Sequence, residues 1–265
     1  MKLRCENQEA SVWRIRFEGR DGQDVSLDGD GLEDLHRVLQ EAEESSHCRV
    51  LVLESRPGVF CRGMDLSFVL AHAGEDLSDR IRSYATTMER LRTSRCATVC
   101  LVDGEVQGGG VGLVAACDAV LATSRASFAL PETVLGLIPA MVLPLLLTRM
   151  PRQKARWMAL SNRVISADAA TELGIVDELF ERPIDLERGM RRVVKRLLRA
   201  SPRAIERLKR FEQEIAHMRV ADSLLLGADR TAKDLLELET IAAIRSLLSG
   251  ESPPWFERYK GGRSS

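Results

Sequence analysis

Two glycine-bearing turns are the parts of this sequence whose residue types could do chemistry with backbone groups. Residues 61–65 (CRGMD) and 107–110 (QGGG) each lie between a strand-like and a helix-like stretch. A run of three glycines leaves the backbone uncovered, so its N–H groups can approach an oxygen atom of a ligand closely. A helix over residues 111–117 would add positive dipole character at its N-terminus. Such donors form an oxyanion hole, although the glycines alone fit a tight strand–helix turn equally well.

The elements that must position these turns are typical of an α/β protein. Predicted strands, recognised by β-branched or alternating residues, cover residues 12–17, 50–54, 98–102, 119–122 and 127–130. Helical spacing of apolar residues occurs between them, at 32–42 and 81–91, and continues without strands after about residue 185. The sequence therefore predicts an α/β core over residues 1–185 and a helical C-terminal region over residues 186–265.

Composition and charge exclude several classes of protein. The 265 residues are 45% hydrophobic and 29% charged, with a formal net charge of −1. This balance is that of a globular protein, and it provides no overall field that would attract nucleic acid or an anionic membrane. The six cysteines form no CxxC pair and have no zinc-like spacing with histidine, so no metal site is predicted. The N-terminus has no apolar signal-peptide core, and we expect a cytoplasmic location.

Four motifs, in their order and spacing, resemble those of the crotonase superfamily, the enoyl-CoA hydratases and isomerases. They are FCxGxDL from Phe60, VxGxxxGGG from Val102, CDAVLA from Cys117 and FxxPExxxGLxP from Phe128. The resemblance extends from about residue 12 to residue 260. It implies a crotonase-like spiral of ββα units whose helical C-terminal region builds a trimer. We therefore expect a homotrimer, or a hexamer made of two trimers.

The resemblance assigns the oxyanion hole to two backbone groups. In the family the first donor is the N–H of the residue after glycine in FCxGxD, which is Met64 here. The second donor is the N–H of the middle glycine of the GGG run, which is Gly109 here. Together they would hold the carbonyl oxygen of a thioester while an enolate forms. The side chain at position 64 is free to vary in this role, and Asp65 is expected to cap the following helix.

The family's hydratases use two glutamates, and this chain has one of them. The glutamate of the Pro-Glu motif is Glu132, whereas the position two residues beyond the GGG run holds Gly112. Addition of water needs one group that activates water and another that delivers a proton to C2. A site with one carboxylate fits reactions that need a single base at C2. These are double-bond isomerisation, or an elimination in which one group manages both proton steps.

A narrower resemblance, over residues 102–118 and 131–140, is to the polyketide β-branching dehydratases, which also have glycine at the first carboxylate position. It implies a lyase that dehydrates a 3-hydroxy-3-methylglutaryl group on an acyl carrier protein to 3-methylglutaconyl. Glu132 would take the C2 proton and return it to the departing hydroxyl. No cofactor is implied, because the phosphopantetheine arm of the carrier protein or of coenzyme A carries the acyl group.

Four further residues are candidates for substrate binding, although no motif fixes them. The free carboxylate at C5 needs a cation or several donors, and Arg62, Arg82 and Tyr84 lie in or near segments that wall the pocket in the family. Lys260 lies near the C-terminus, which in the family packs over a neighbour's thioester pocket, where the lysine would meet a phosphate. Surface salt bridges for the arginines and a solvated lysine are the alternatives.

Two other functions remain open from the sequence. An enoyl-CoA isomerase, or a hydratase of unusual mechanism, would use the same oxyanion hole and the same Glu132. A crotonase-fold binding protein without catalysis would account for Gly112, but Glu132 and the intact oxyanion motifs argue against it. The sequence does not distinguish coenzyme A from a carrier protein, since both present the same arm.

Overall fold

The computed structural model of the protein describes residues 1–19, 24–71 and 77–261. The strands are β1 (Lys2–Glu9), β2 (Val12–Glu18), β3 (Val50–Ser55), β4 (Gly58–Cys61), β5 (Ala97–Val102), β6 (Gly104–Gln107), β7 (Ala119–Thr123), β8 (Ser127–Ala129), β9 (Ile165–Ser166) and β10 (Glu178–Phe180). The helices are α1 (Gly29–Glu44), α2 (Leu66–Ala71), α3 (Ser78–Thr93), α4 (Gly109–Ala115), α5 (Leu143–Leu146), α6 (Arg152–Ser161), α7 (Ala167–Leu173), α8 (Pro183–Leu197), α9 (Pro202–Ile215), α10 (Val220–Leu236) and α11 (Leu238–Leu248). A short 3-10 helix covers Glu132–Leu135.

The strands form two sheets, which confirms the predicted spiral of ββα units. The six-stranded sheet has the order β1-β2-β3-β5-β7-β10, and the four-stranded sheet has the order β4-β6-β8-β9. Three successive strand pairs, β3/β4, β5/β6 and β7/β8, each place their first strand in the larger sheet and their second in the smaller one. Neighbouring strands are parallel in both sheets, except for the β1–β2 hairpin and the β8–β9 pair, which are antiparallel.

The larger sheet is covered on both faces, as parallel sheets usually are. Along β3, Leu51 and Leu53 contribute to the core on the face that is covered by α1, α3 and α4. Val50 and Val52 point to the other face and pack with apolar residues of α8 and with Tyr259. Strand alternation thus separates the glycine turns and α3 from α8 and the C-terminal segment.

Only helices follow β10 among the described residues, so the helical C-terminal region is confirmed. The division of the chain at residue 185 remains a prediction, because α8 begins at Pro183 and itself packs on the sheet. The last three helices expose large apolar side chains, each more than 60% accessible: Leu208, Val220, Leu224, Leu225, Leu236, Leu238, Leu247 and Leu248. None of the helices in the described part of the chain is long and apolar enough to cross a membrane.

Candidate active site

In the first turn the N–H of Met64 points away from Leu27, the residue with which this segment pairs. Gly63 precedes Met64 with a φ of 82°, a conformation that favours glycine. A parallel bridge then joins this segment to Leu27, whose N–H donates to the Gly63 carbonyl at 2.7 Å and whose carbonyl accepts from the Asp65 N–H at 3.0 Å. In this pattern the N–H of Met64 points to the opposite side. Asp65 also accepts from the Ser67 N–H at 3.0 Å, which caps α2 as expected.

The second turn places the N–H of Gly109 beside the first. The Gly108 N–H donates to the Ala129 carbonyl at 3.0 Å, and a φ of 50° at Gly108 turns the chain into α4. The helix starts at Gly109, two residues earlier than expected. The Gly109 N–H therefore lies in the first helical turn of α4 and has no hydrogen-bond partner within the helix. A Cβ built on Gly63 would lie 3.1 Å from the Gly109 nitrogen. The backbones of the two turns are therefore in contact, and both donors border the same small space.

Glu132 faces this space from the 3-10 helix that follows β8. A Cβ built on Gly108 would lie 3.2 Å from the Glu132 Oε1, so the carboxyl group sits against the glycine run. Its Oε2 is buried and has no hydrogen-bond partner among the described residues. Burial raises the pKa of Glu132 above the ordinary value of a glutamate. A carboxylate with an uncommitted oxygen and a raised pKa is suited to take a proton from carbon.

Tyr84 of α3 packs against α4 instead of lining a pocket for the substrate carboxylate. Its side chain is buried, and its hydroxyl donates to the Gly109 carbonyl at 2.7 Å. A Cβ built on Gly112 would overlap that same hydroxyl. Burial raises the pKa of Tyr84, and the nearby Cys61 and Glu132 raise it further. The phenol is therefore protonated and already committed to a backbone oxygen.

Comparisons with known proteins show to which family this chain belongs. The profile of the enoyl-CoA hydratase/isomerase family matches residues 7–233. The bacillaene synthase dehydratase PksH of Bacillus subtilis is 34% identical over 212 residues, which cover 79% of this chain and 80% of that protein. The chain belongs to the enoyl-CoA hydratase/isomerase family. Like its relatives that are named as dehydratase and hydratase, it is an enzyme of the hydro-lyase type.

Solved structures of the family superpose on nearly the whole chain. An enoyl-CoA hydratase/isomerase from Marinobacter aquaeolei aligns with a TM-score of 0.87 and 27% identity, covering 96% of this chain and 99% of that one. AtuE of Pseudomonas aeruginosa aligns with a TM-score of 0.88 and 26% identity, over 96% of this chain and 99% of that one. The enoyl-CoA hydratase/isomerase fold thus includes the C-terminal helices.

Of the two candidate arginines of this family member, Arg62 belongs to the first glycine turn and Arg82 belongs to α3. Arg62 forms ion pairs with Asp24 at 2.6 Å and with Glu105 at 3.0 Å, and its guanidinium lowers the pKa of Asp24. Arg82 is exposed on α3, two residues before Tyr84 and hence on the opposite side of the helix. Binding of a substrate carboxylate by Arg62 would have to compete with two acidic side chains.

Lys260 lies on the other face of the larger sheet within this chain. Its neighbour Tyr259 is buried in the cluster between the sheet and α8, and a Cβ on Gly261 would lie 3.1 Å from an Arg191 Nη1. A single subunit therefore does not bring Lys260 to Glu132. Its contact with a substrate arm remains a prediction about a neighbouring subunit's site.

The structure thus brings Met64, Gly109, Glu132 and Tyr84 together out of seven candidates. It also shows an exposed apolar segment next to Glu132 in the chain, whose residues were not among the candidates. Val134, Leu135 and Leu137 follow Glu132 directly, and each is more than half exposed. Their only signal in the sequence was an apolar run, residues 134–147, which a buried helix would equally well produce.

Proposed function

We propose that this enzyme dehydrates a 3-hydroxy-3-methylglutaryl thioester, carried on an acyl carrier protein, to the 3-methylglutaconyl thioester in polyketide β-branching. The observation that carries the proposal is the single carboxyl group, Glu132, beside two adjacent backbone donors, with Tyr84 in place of a second carboxylate. The 34% identity to a bacillaene synthase dehydratase supports the same assignment. Asp65, which also lies in the first turn, accepts hydrogen bonds from the N–H and the hydroxyl of Ser67 at the start of α2.

The reaction follows from these groups. The N–H groups of Met64 and Gly109 hold the thioester oxygen, which makes the C2 proton acidic and stabilises the enolate. Glu132 takes the C2 proton, and the electron pair of that C–H bond forms the enolate. This pair then forms the C2–C3 double bond as the C3–O bond breaks, and the electrons of the C3–O bond leave with hydroxide. The departing hydroxide takes the proton back from Glu132 and leaves as water. Because one group handles both protons, C2–H and C3–OH depart from the same face.

The test is a mass-spectrometric assay of the purified enzyme with 3-hydroxy-3-methylglutaryl thioesters of a carrier protein and of coenzyme A. We expect loss of one water from the carrier-protein substrate, with faster turnover than on coenzyme A. The 3-hydroxybutyryl thioester, which lacks the C5 carboxylate and the methyl group, is the control and should react more slowly. No water loss from either 3-hydroxy-3-methylglutaryl substrate would reject the proposal in favour of an isomerase or a binding protein.

We further propose that Arg62, Arg82 or Lys260 meets the C5 carboxylate or the phosphopantetheine phosphate. Arg62 would have to break its ion pairs with Asp24 and Glu105 before it could bind the substrate. Arg82 is exposed and is therefore the better placed of the two arginines for this role. The two single variants, Arg62→Gln and Arg82→Gln, separate them. The one that binds the carboxylate should show a raised KM on the C5 carboxylate substrate and an unchanged KM on 3-hydroxybutyryl thioester.

The oligomer that we propose is a homotrimer or a dimer of trimers. The exposed leucines of α9, α10 and α11 form apolar surface of the kind that marks protein–protein contacts, and a closed symmetric assembly would bury it. Light scattering at micromolar concentration should give three or six times the subunit mass of 29.5 kDa. A mass of one subunit would contradict the proposal.

We propose a cytoplasmic location. All six cysteines are free, and five of them are buried, which fits a reducing compartment.

A further inference from the structure

We propose that Tyr84 is the positioning residue of the oxyanion hole. Its hydroxyl occupies the space that a side chain at position 112 would need. Its hydroxyl donates to the Gly109 carbonyl at 2.7 Å. Its ring lies under the same residue, since a Cβ on Gly109 would be 3.4 Å from the Tyr84 Cε2. The Tyr84 side chain therefore holds Gly109, the residue that carries the second oxyanion donor, in place.

The glycine run needs such an external anchor. Residues 108–110 have no side chains, so their backbone is intrinsically free to adopt several conformations. The run is fixed on one side by Cys61, whose Cβ would lie 2.9 Å from a Cβ on Gly110. Tyr84 supplies the fixed point at Gly109 itself. An oxyanion hole accelerates a reaction only when its donors are held in place before the charge develops, so this anchor has a catalytic consequence.

Tyr84 and a side chain at position 112 exclude one another. A Cβ on Gly112 would overlap the Tyr84 hydroxyl but would lie 3.6 Å from its Cζ, an ordinary contact. The conflict is therefore between one methyl group and one hydroxyl group. It follows that a carboxylate at position 112 and a tyrosine anchor at position 84 cannot coexist in this backbone. The absence of the first glutamate and the presence of the tyrosine are one structural feature.

The anchor also leaves Glu132 as the single base. The Tyr84 phenol is protonated and gives its hydrogen to a backbone oxygen, so it cannot accept a proton from C2. Cys61, also near the tyrosine, is fully buried, and burial raises the pKa of its thiol to about 12. A positioning role for Tyr84 therefore agrees with an elimination in which one carboxylate handles both proton steps.

The first test compares the only two tyrosines of the chain. Tyr84→Phe removes the hydroxyl at the glycine run, whereas Tyr259→Phe removes a buried hydroxyl on the other face of the sheet. We expect Tyr84→Phe to lower kcat by about 10-fold with KM nearly unchanged, because a misplaced donor costs less than a lost one. Tyr259→Phe should retain the wild-type kcat. Wild-type kcat in Tyr84→Phe would overturn the proposal.

The second test is a double-mutant cycle between positions 84 and 112, read by melting temperature and by kcat. In the wild-type background Gly112→Ala should lower both, because the new methyl group displaces the hydroxyl. In the Tyr84→Phe background the same substitution should leave kcat unchanged and leave or raise the melting temperature, since alanine favours the helix. An equal cost of Gly112→Ala in both backgrounds would show that the two positions do not exclude each other.

The catalytic part of this inference rests on the proposed function for its substrate, so a second assay keeps the two apart. Enolate formation alone exchanges the C2 hydrogens of 3-methylglutaryl-CoA for deuterium in D2O, and this substrate has no hydroxyl to lose. Exchange without water loss in the wild type would reject the dehydratase proposal and still measure the Tyr84 effect. If the wild type shows neither water loss nor exchange, both the function and the positioning role are wrong.

Discussion

Gly109→Pro is expected to lower turnover by about 100- to 1000-fold, the usual effect of removing one oxyanion donor. Proline has no N–H, and Gly109 carries one of the two donors that border the Glu132 carboxyl group. Because Gly109 is the first residue of α4, proline there removes no hydrogen bond within the helix. The loss should appear in kcat for water elimination and equally in deuterium exchange at C2, measured by mass spectrometry.

Two further variants separate the lost donor from crowding. Gly109→Ala keeps the N–H but adds the same Cβ, which would meet the Leu27 Cδ1 at 3.1 Å and which a small rotation of that flexible side chain relieves. Met64→Ala keeps the first N–H and removes only side-chain atoms. Both should cost far less than Gly109→Pro. If Gly109→Ala were as inactive as Gly109→Pro, crowding and not the missing donor would explain the loss.

The sequence indicated the two turns because each contains a glycine in a backbone conformation that few other residues adopt. Gly63 and Gly108 have positive φ values, and glycine in that conformation is visible in a sequence. The main strands of the larger sheet were predicted for a similar reason, since their apolar runs are buried on both faces. Local patterns of this kind need no knowledge of the remote partners.

Strands β4 and β6 of the smaller sheet were not predicted, whereas β8 was, and the residues of β4 and β6 explain why. β4 and β6 have four residues each, and both begin with glycine, which a strand pattern does not indicate. Their pairing depends on partners that are more than 40 residues apart in the chain, Gly58 with Gly104 and Val59 with Glu105. Only the folded chain shows that these short segments align the two turns.

The hydrogen bond between Tyr84 and the glycine run could not be predicted from the sequence, for the same reason. From the sequence Tyr84 is a candidate for binding the substrate carboxylate, whereas in the structure its hydroxyl donates to the Gly109 carbonyl. Residues 84 and 112 are far apart in the chain, and nothing local to either shows that their side chains compete for one space. The ion pairs of Arg62 could not be predicted either, because Asp24 and Glu105 lie in distant parts of the chain.

Glu132→Gln is expected to lower turnover by at least about 100-fold, the low end of general-base contributions. Glutamine keeps the shape of the side chain but cannot accept the C2 proton. Substrate binding should be largely retained, since the oxyanion donors are backbone groups. The measurements are kcat for water loss and KM for the 3-hydroxy-3-methylglutaryl thioester, with Glu178→Gln, at the far edge strand β10, as the matched control.

The pH dependence of the wild type provides an independent check on Glu132. Burial raises the pKa of this carboxyl group, and only its ionised form is a base. Activity should therefore rise with pH through a single step that lies above the ordinary pKa of a glutamate. Tyr84 and Cys61, whose pKa values burial also raises, stay protonated, so no descending limb from these groups is expected at mildly alkaline pH.

The stability of the glutamine variant separates a chemical loss from an unfolded protein. A raised pKa in the folded state means that the ionised carboxylate is less stable there than in the unfolded chain, so this group destabilises the fold as the pH rises through the folded pKa. Glu132→Gln removes that charge, and its melting temperature at neutral pH should equal or exceed that of the wild type. A variant that melts normally but is inactive assigns the base to Glu132, whereas full activity would remove Glu132 from the mechanism.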